Sequence, residues 1–172
     1  MSHATLHGPR VTLRPIEAGD VDRLTEILNE PDVEQWWGRW DADRVRKELI
    51  AEPEAVIFMI ETSGESIGLI QYYEEDDPFF RHAGADLAVA TAWQNQGYGT
   101  EALQVVVRYL LEERGHHRLV IDPAVANERA VRAYERVGFR PVGVMRQYSL
   151  GPDGVWHDGL LMDMLASEFR DQ

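Results

Sequence analysis

Gln94-Asn95-Gln96-Gly97-Tyr98-Gly99-Thr100 is the stretch on which the fold of this chain turns. Before it, Gly84–Ala90 reads as a strand, with Ala85, Leu87 and Val89 on one face and Asp86, Ala88 and Ala90 on the other. After it, from about Thr100, Leu103, Val106, Val107, Leu110 and Leu111 recur at helical spacing, and Arg114-Gly115 offers a stop. A glycine-bearing turn between strand and helix suits a phosphate. Glycines let the backbone bend tightly, several N–H groups can point at one anion, and the helix N-terminus adds the positive end of its dipole. Such a turn can hold a pyrophosphate without a basic side chain. An ordinary strand-to-helix bend also uses glycine, so the turn alone does not decide. The Lys-Ser/Thr ending of a P-loop is absent, as are the third glycine and distant acid of a dinucleotide fold.

Outward from the turn, the pattern alternates between strand and helix. Val11–Arg14 reads as a short strand, followed by a helix that buries Val21, Leu24, Ile27 and Leu28 and takes Asp20 as its N-cap. A second, shorter helix spans Ala42–Ala51, after the aromatic cluster Trp36-Trp37-Gly38-Arg39-Trp40. Ala55–Glu61 and Ser66–Tyr73, joined at Thr62–Glu65, form a predicted hairpin that ends in the acidic Glu74-Glu75-Asp76-Asp77-Pro78 loop. Downstream, Leu119–Ile121 is a strand leading to Asp122-Pro123. Asn127 caps a helix with Ala130, Ala133, Tyr134 and Val137 inward and Gly138 at its end. Strands near Pro141–Leu150 and Leu160–Leu165 flank a Gly151-Pro152-Asp153-Gly154 turn. The expected architecture is a single α/β domain over residues 1–172, a mixed central sheet with helices on both faces.

Composition narrows the chemistry. The chain has 172 residues, enough for one respectable core, and no cysteine, which excludes a disulfide framework, thiolate zinc and a cysteine acyl-enzyme. The first residues, MSHATLHGPR, contain no apolar leader, and no stretch nears the roughly 20 apolar residues of a membrane span. A cytoplasmic protein without a membrane partner is expected. With 30 acidic against 17 basic residues and a formal charge of -13, nucleic acid is a poor partner; the excess acid by itself serves solubility, and it suits a cationic small molecule where acids converge on a site. His82, His116, His117 and His157 show no metal-ligand spacing, and no metal is expected; His116-His117 is read as ending a helix.

Gln94-x-x-Gly97-x-Gly99 after its strand resembles the pyrophosphate turn of the GNAT acetyltransferases. The run Asn127-Glu-Arg-Ala130-Val-Arg-Ala-Tyr134-Glu-Arg-Val-Gly138-Phe139 is similar to that family's second signature. Together they extend the resemblance from Arg10 to about Phe169, and the fold it implies is the GNAT fold. Within the family, Trp36-Trp37-Gly38, Gln71-Tyr72-Tyr73, Gly84-Ala-Asp86, Asp122-Pro123 and Asp153-Gly154 resemble landmarks of the aminoglycoside 6′-N-acetyltransferases. Siderophore-precursor lysine acyltransferases share several of these, including the style of Trp156-His157-Asp158.

The resemblance implies acetyl-coenzyme A as cosubstrate, held by Leu87, Ala88, Val89, Gln94, Gln96, Gly97, Tyr98, Gly99, Thr100, Asn127 and Ala130. It implies Asp86 as the base that takes the ammonium proton, and Asp is in any case depleted in strands. Backbone N–H groups around Leu87–Val89 would stabilise the tetrahedral oxyanion, and Tyr134 would reprotonate the departing thiolate. Direct transfer in a ternary complex is expected, because no residue stands out as an acyl carrier. For a cationic acceptor, Asp122, Asp153 and Glu75 offer charge and Trp36 and Trp37 flat aromatic faces, and the resemblance adds Tyr73 at its strand end. The acceptor it implies is an aminoglycoside amine, bound by a monomer or homodimer. Three alternatives stay open: a siderophore-pathway lysine or hydroxylysine acyltransferase, a protein acetyltransferase, and a non-catalytic acyl-coenzyme A binding module.

Overall fold

The computed structural model describes residues 3–170. Eight strands form one mixed sheet: β1 Leu6–His7, β2 Thr12–Pro15, β3 Val56–Thr62, β4 Glu65–Glu75, β5 His82–Val89, β6 Arg118–Ile121, β7 Arg140–Leu150 and β8 Trp156–Leu165. Their order is β1-β2-β3-β4-β5-β6-β8-β7. Every neighbouring pair is antiparallel except β5 and β6, which run parallel. The β3–β4 hairpin closes through Ser63 and Gly64, both at positive φ (50° and 79°), the left-handed backbone that a two-residue hairpin turn requires.

The helices divide between the faces. One face carries α1 Val21–Leu28, α2 Pro31–Trp37 and α3 Ala42–Arg44, the last continuing as a wider π-type segment, Val45–Ala51. Leu24, Leu28, Val33, Val45 and Leu49 pack there against Met59, Leu69 and Ala88 of the sheet. The other face carries α4 Tyr98–Arg108, prolonged by a π-type turn Tyr109–Glu113, and α5 Glu128–Val137. Leu103, Val106, Leu110, Tyr134 and Val137 pack on that side against Phe58, Ile70, Tyr72 and Ala85. The predicted alternation in β5 is thereby realised: Ala85 faces α4, and Ala88 faces α1.

Some local expectations change. Asp20 does not cap α1; its carboxylate accepts from the Arg14 guanidinium (3.0 Å to each oxygen) and from the Glu17 N–H (2.7 Å). A guanidinium fork outcompetes the cap because two parallel charge-assisted bonds hold it. The residues around Trp36 and Trp37, read only as an aromatic cluster, form α2, with Pro31 at its first position, where a missing N–H costs nothing. β8 begins four residues before the predicted Leu160, and β1 was not foreseen. His116 closes the end of its helix, its N–H donating to Leu110 O at 3.0 Å. It is buried, with Nε2 at 2.6 Å from Glu74, and Arg114 binds the same carboxylate.

Candidate active site

The sheet opens where its one parallel pair gives out. β5 and β6 are joined only at Ala83–Leu119 and Gly84–Val120, and beyond Gly84 they diverge. Carrying that register two residues further puts Asp122 opposite Asp86 across the gap. On its other edge β5 stays paired with β4 as far as Val89–Gly68. Ala90 N–H donates to Ile67 O at 2.8 Å, so by alternation the N–H groups of Asp86 and Ala88 face β4, and those of Leu87 and Val89 face the gap. Leu87 N–H there donates to its neighbour's Asp86 Oδ1 at 2.9 Å.

A cavity of about 530 Å³ occupies this opening, within the usual size of about 300–1,000 Å³ for small-molecule sites. The glycine turn borders it: Gln94, Gly97, Tyr98, Gly99 and Thr100 are all lining residues. Gly97 adopts φ +85°, and a Cβ on Gly99 would press on the Leu87 and Val89 side chains at 3.2 and 3.3 Å, so backbone comes close to the strand here. The Gln94 side chain ties the turn to its surroundings: Nε2 donates to Val89 O at 2.8 Å, and Oε1 accepts from Arg129 at 2.5 Å.

Behind the turn, Arg10 donates to Gln96 O at 3.1 Å and lies 4.5 Å from the Tyr98 ring centre. Glu101 anchors this arginine, accepting from its Nε (2.8 Å), its backbone N–H (2.6 Å) and the Val11 N–H (3.0 Å). Burial alone would raise the pKa of Glu101, yet these donors hold it below the ordinary carboxylate value.

The same cavity gathers the acids. Asp86 and Asp122 line it together with Trp36, Trp37 and, from α5, Tyr134. Asp86 is exposed along the cavity, on a strand set within the sheet. Desolvation pushes its pKa up to about 7; the Leu87 N–H opposes that, and the Asp122 charge adds to it. Tyr134 is buried, and burial together with the charges of Asp86 and Asp122 raises its hydroxyl far above the ordinary tyrosine value. Asn127 lines the cavity and caps α5, accepting from Ala130 N–H at 3.3 Å, and Ala130 lies beside it.

Four predicted residues lie outside this cavity. Gln96 contributes its carbonyl to Arg10 and turns its amide back to Ala92 O (2.9 Å). Tyr73 covers Gly84, where an added Cβ would come within 2.3 Å of the ring. Glu75 ends β4 and folds over the Asp77 N–H (2.9 Å), away from the acids of the site. Asp153 is spent on its own turn, accepting from Val155 N–H (3.0 Å) and contacting His157 (2.8 Å). Conversely, Asp32, Arg129, Arg136, Tyr148 and Ser149 line the cavity without having been picked out. Arg129, Arg132 and Arg136 recur at helical spacing on α5 in an acidic chain, a signal for an anionic ligand that the sequence did carry.

Residues 10–140 match the acetyltransferase (GNAT) domain family. The chain belongs to the GNAT acetyltransferases. It is 30% identical over 164 residues to aminoglycoside N(6′)-acetyltransferase type 1 of Klebsiella pneumoniae, covering 84% of this chain and 79% of that protein. The structure of AAC(6′)-Ib with paromomycin and acetyl-coenzyme A superposes with a TM-score of 0.77 at 28% identity, over 92% of this chain and 95% of the other. Spermidine N-acetyltransferase from Vibrio cholerae, solved with coenzyme A and spermine, shares the fold with a TM-score of 0.79 at 23% identity, over 92% and 97% of the two chains. As a GNAT acetyltransferase the protein uses acetyl-coenzyme A as cosubstrate. The glycine turn, the free edge of β5 and the arginines of α5 fit a long ligand with phosphates at one end and amides along its arm.

Proposed function

We propose that this GNAT acetyltransferase acetylates the 6′-amine of aminoglycosides by direct transfer within a ternary complex. One observation carries the acceptor class: Asp86 and Asp122 face each other across the strand gap in a cavity that also exposes Trp36 and Trp37. Two acids beside flat aromatic faces suit a polycation built on sugar rings. The kinship with aminoglycoside N(6′)-acetyltransferase type 1 over most of the chain supports the same reading.

Acetyl-coenzyme A supplies the activated acetyl thioester. An ammonium group cannot attack until it loses a proton, and Asp86, with its pKa near 7, is ionised enough at neutral pH to accept one and basic enough to keep it. Asp122 supplies negative charge to the bound cation. The Val89 N–H points into the gap, where it can donate to an oxygen that gains negative charge. Tyr134 keeps its proton at any working pH; it can pass that proton to the leaving sulfur while taking up the second one that the acetylated nitrogen sheds, so that no tyrosinate is left behind.

The test is thiol release from acetyl-coenzyme A with aminoglycosides that have or lack a free 6′-amine, alongside lysine and hydroxylysine. Turnover confined to acceptors with that amine is the expected result. Turnover of lysine derivatives alone, with preference for longer acyl donors, would replace this reading by the siderophore one.

A further inference from the structure

The cavity wall includes a side chain delivered by an irregularity in the last hairpin. β7 and β8 pair at Met145–Gly159 and next at Ser149–His157, so four steps along β7 are matched by two along β8. Within this slip Gln147 adopts φ +49°, a left-handed backbone that a side chain with a Cβ disfavours. Asp158 holds it there, its Oδ1 accepting from the Gln147 N–H at 2.8 Å. The next residue, Tyr148, thereby reaches the cavity wall, and its hydroxyl donates to Asp122 Oδ2. Tyr148 is 47% exposed on an edge strand, so its packing contributes little to any core. What the conformation secures is the bond to Asp122.

We infer that Tyr148 is a positioning residue for the acceptor: by fixing the Asp122 carboxylate across the strand gap from Asp86, it builds a two-acid seat for an ammonium group. The inference rests on the proposed cationic acceptor and adds to it the residue that sets the seat's geometry. A carboxylate at a strand end, on the rim of an open cavity, would otherwise rotate and hydrate freely. A hydroxyl donated to Oδ2 removes that freedom and leaves Oδ1 for the acceptor. The bond to Asp122, with some burial, pushes the Tyr148 hydroxyl up to about 12, so the donor keeps its proton across the working range.

Tyr148→Phe retains the ring and deletes the proton. With kanamycin as acceptor, KM for kanamycin should rise about tenfold, as expected on losing a hydrogen bond to a charged group. The fall in kcat should stay below about threefold and KM for acetyl-coenzyme A should not move, the pattern of lost acceptor binding alone. In an Asp122→Ala background the same change should cost nothing further, because the acceptor of its hydrogen bond is gone. An acceptor KM within about twofold of wild type, or an undiminished penalty in the Asp122→Ala background, overturns the inference. Failure of the aminoglycoside reading is separable. Should wild type turn over no aminoglycoside, spermine binding in the presence of coenzyme A is measured by calorimetry. Affinity about tenfold weaker in Tyr148→Phe then supports the seat. Equal affinity in the two proteins, or no spermine binding by wild type, overturns it.

Discussion

Replacing Asp86 by Asn tests the base and the electrostatics around it in one experiment. The side chain keeps its shape and its bond from the Leu87 N–H, but it can no longer take a proton. General-base catalysis contributes about 10²–10⁴-fold, so kcat/KM for the acceptor at pH 8 should fall by at least about 10². The pH profile is the sharper readout. With a pKa near 7, Asp86 is about one-tenth ionised at pH 6, and wild-type kcat/KM there should be about a tenth of its plateau. Thiol release measured from pH 5.5 to 9, at acceptor concentrations well below KM, should show this inflection in wild type and lose it in Asp86→Asn. In Asp122→Asn the inflection should move to lower pH, because a like charge that raises the Asp86 pKa has gone.

Stability should move opposite to activity. The folded-state pKa of Asp86 lies above the ordinary carboxylate value, so the folded protein binds this proton more tightly than the unfolded chain does. The stability the proton confers is present below about pH 4 and is lost as the pH rises through 7. Asp86→Asn should therefore melt higher than wild type at pH 8, with the difference closing toward pH 4. A variant that keeps activity within about fivefold of wild type together with the pH 7 inflection would refute the assignment of Asp86 as base.

Other outcomes follow from the same geometry. Tyr134→Phe should lower kcat about 10²-fold with little change in KM for either substrate, measured by steady-state thiol release. Gly97→Ala forces a Cβ onto a backbone at φ +85°; it should cost about 1–2 kcal/mol, lower Tm by several degrees and raise KM for acetyl-coenzyme A. Glu101→Gln weakens three bonds to the Arg10 segment and should cost about 2 kcal/mol in denaturant unfolding at pH 7. Because the folded-state pKa of Glu101 is depressed, its contribution is present above the unfolded carboxylate pKa of about 4.3 and disappears as the pH falls through the folded value, so the variant and wild type should converge in acid.

The elements around the turn were legible because each carries a local physical signature. β5 alternates, α4 repeats apolar residues at helical spacing, and Asn127 and Gly138 mark the two ends of α5. The pairing of Asp86 with Asp122 was not legible as geometry. It depends on the register of a two-residue parallel ladder between segments far apart in sequence, and local patterns carry no register between such strands. Glu75 and Asp153 were also read as acceptor acids, since composition does not say at which end of a sheet a loop emerges. Glu75 lies at the end of β4 that pairs with the start of β5, away from the phosphate turn, and Asp153 is held within the β7–β8 turn. Tyr148 was hidden because its reach depends on a left-handed residue that is not glycine, so no sequence signal marked the turn in the strand.

The seam between β5 and β6 has a consequence for how such a protein diversifies. Among the described residues, the β-ladder joining five strands on one side to three on the other consists of two residue pairs. The larger leaf owns β5 and leads into the glycine turn, while the smaller leaf brings Asp122 and Tyr148 and leads into α5 with Arg129 and Tyr134, so the cavity is lined from both sides of the crack. Diversification can therefore proceed by shifting one leaf against the other, which alters the spacing of Asp86 and Asp122 without replacing either residue.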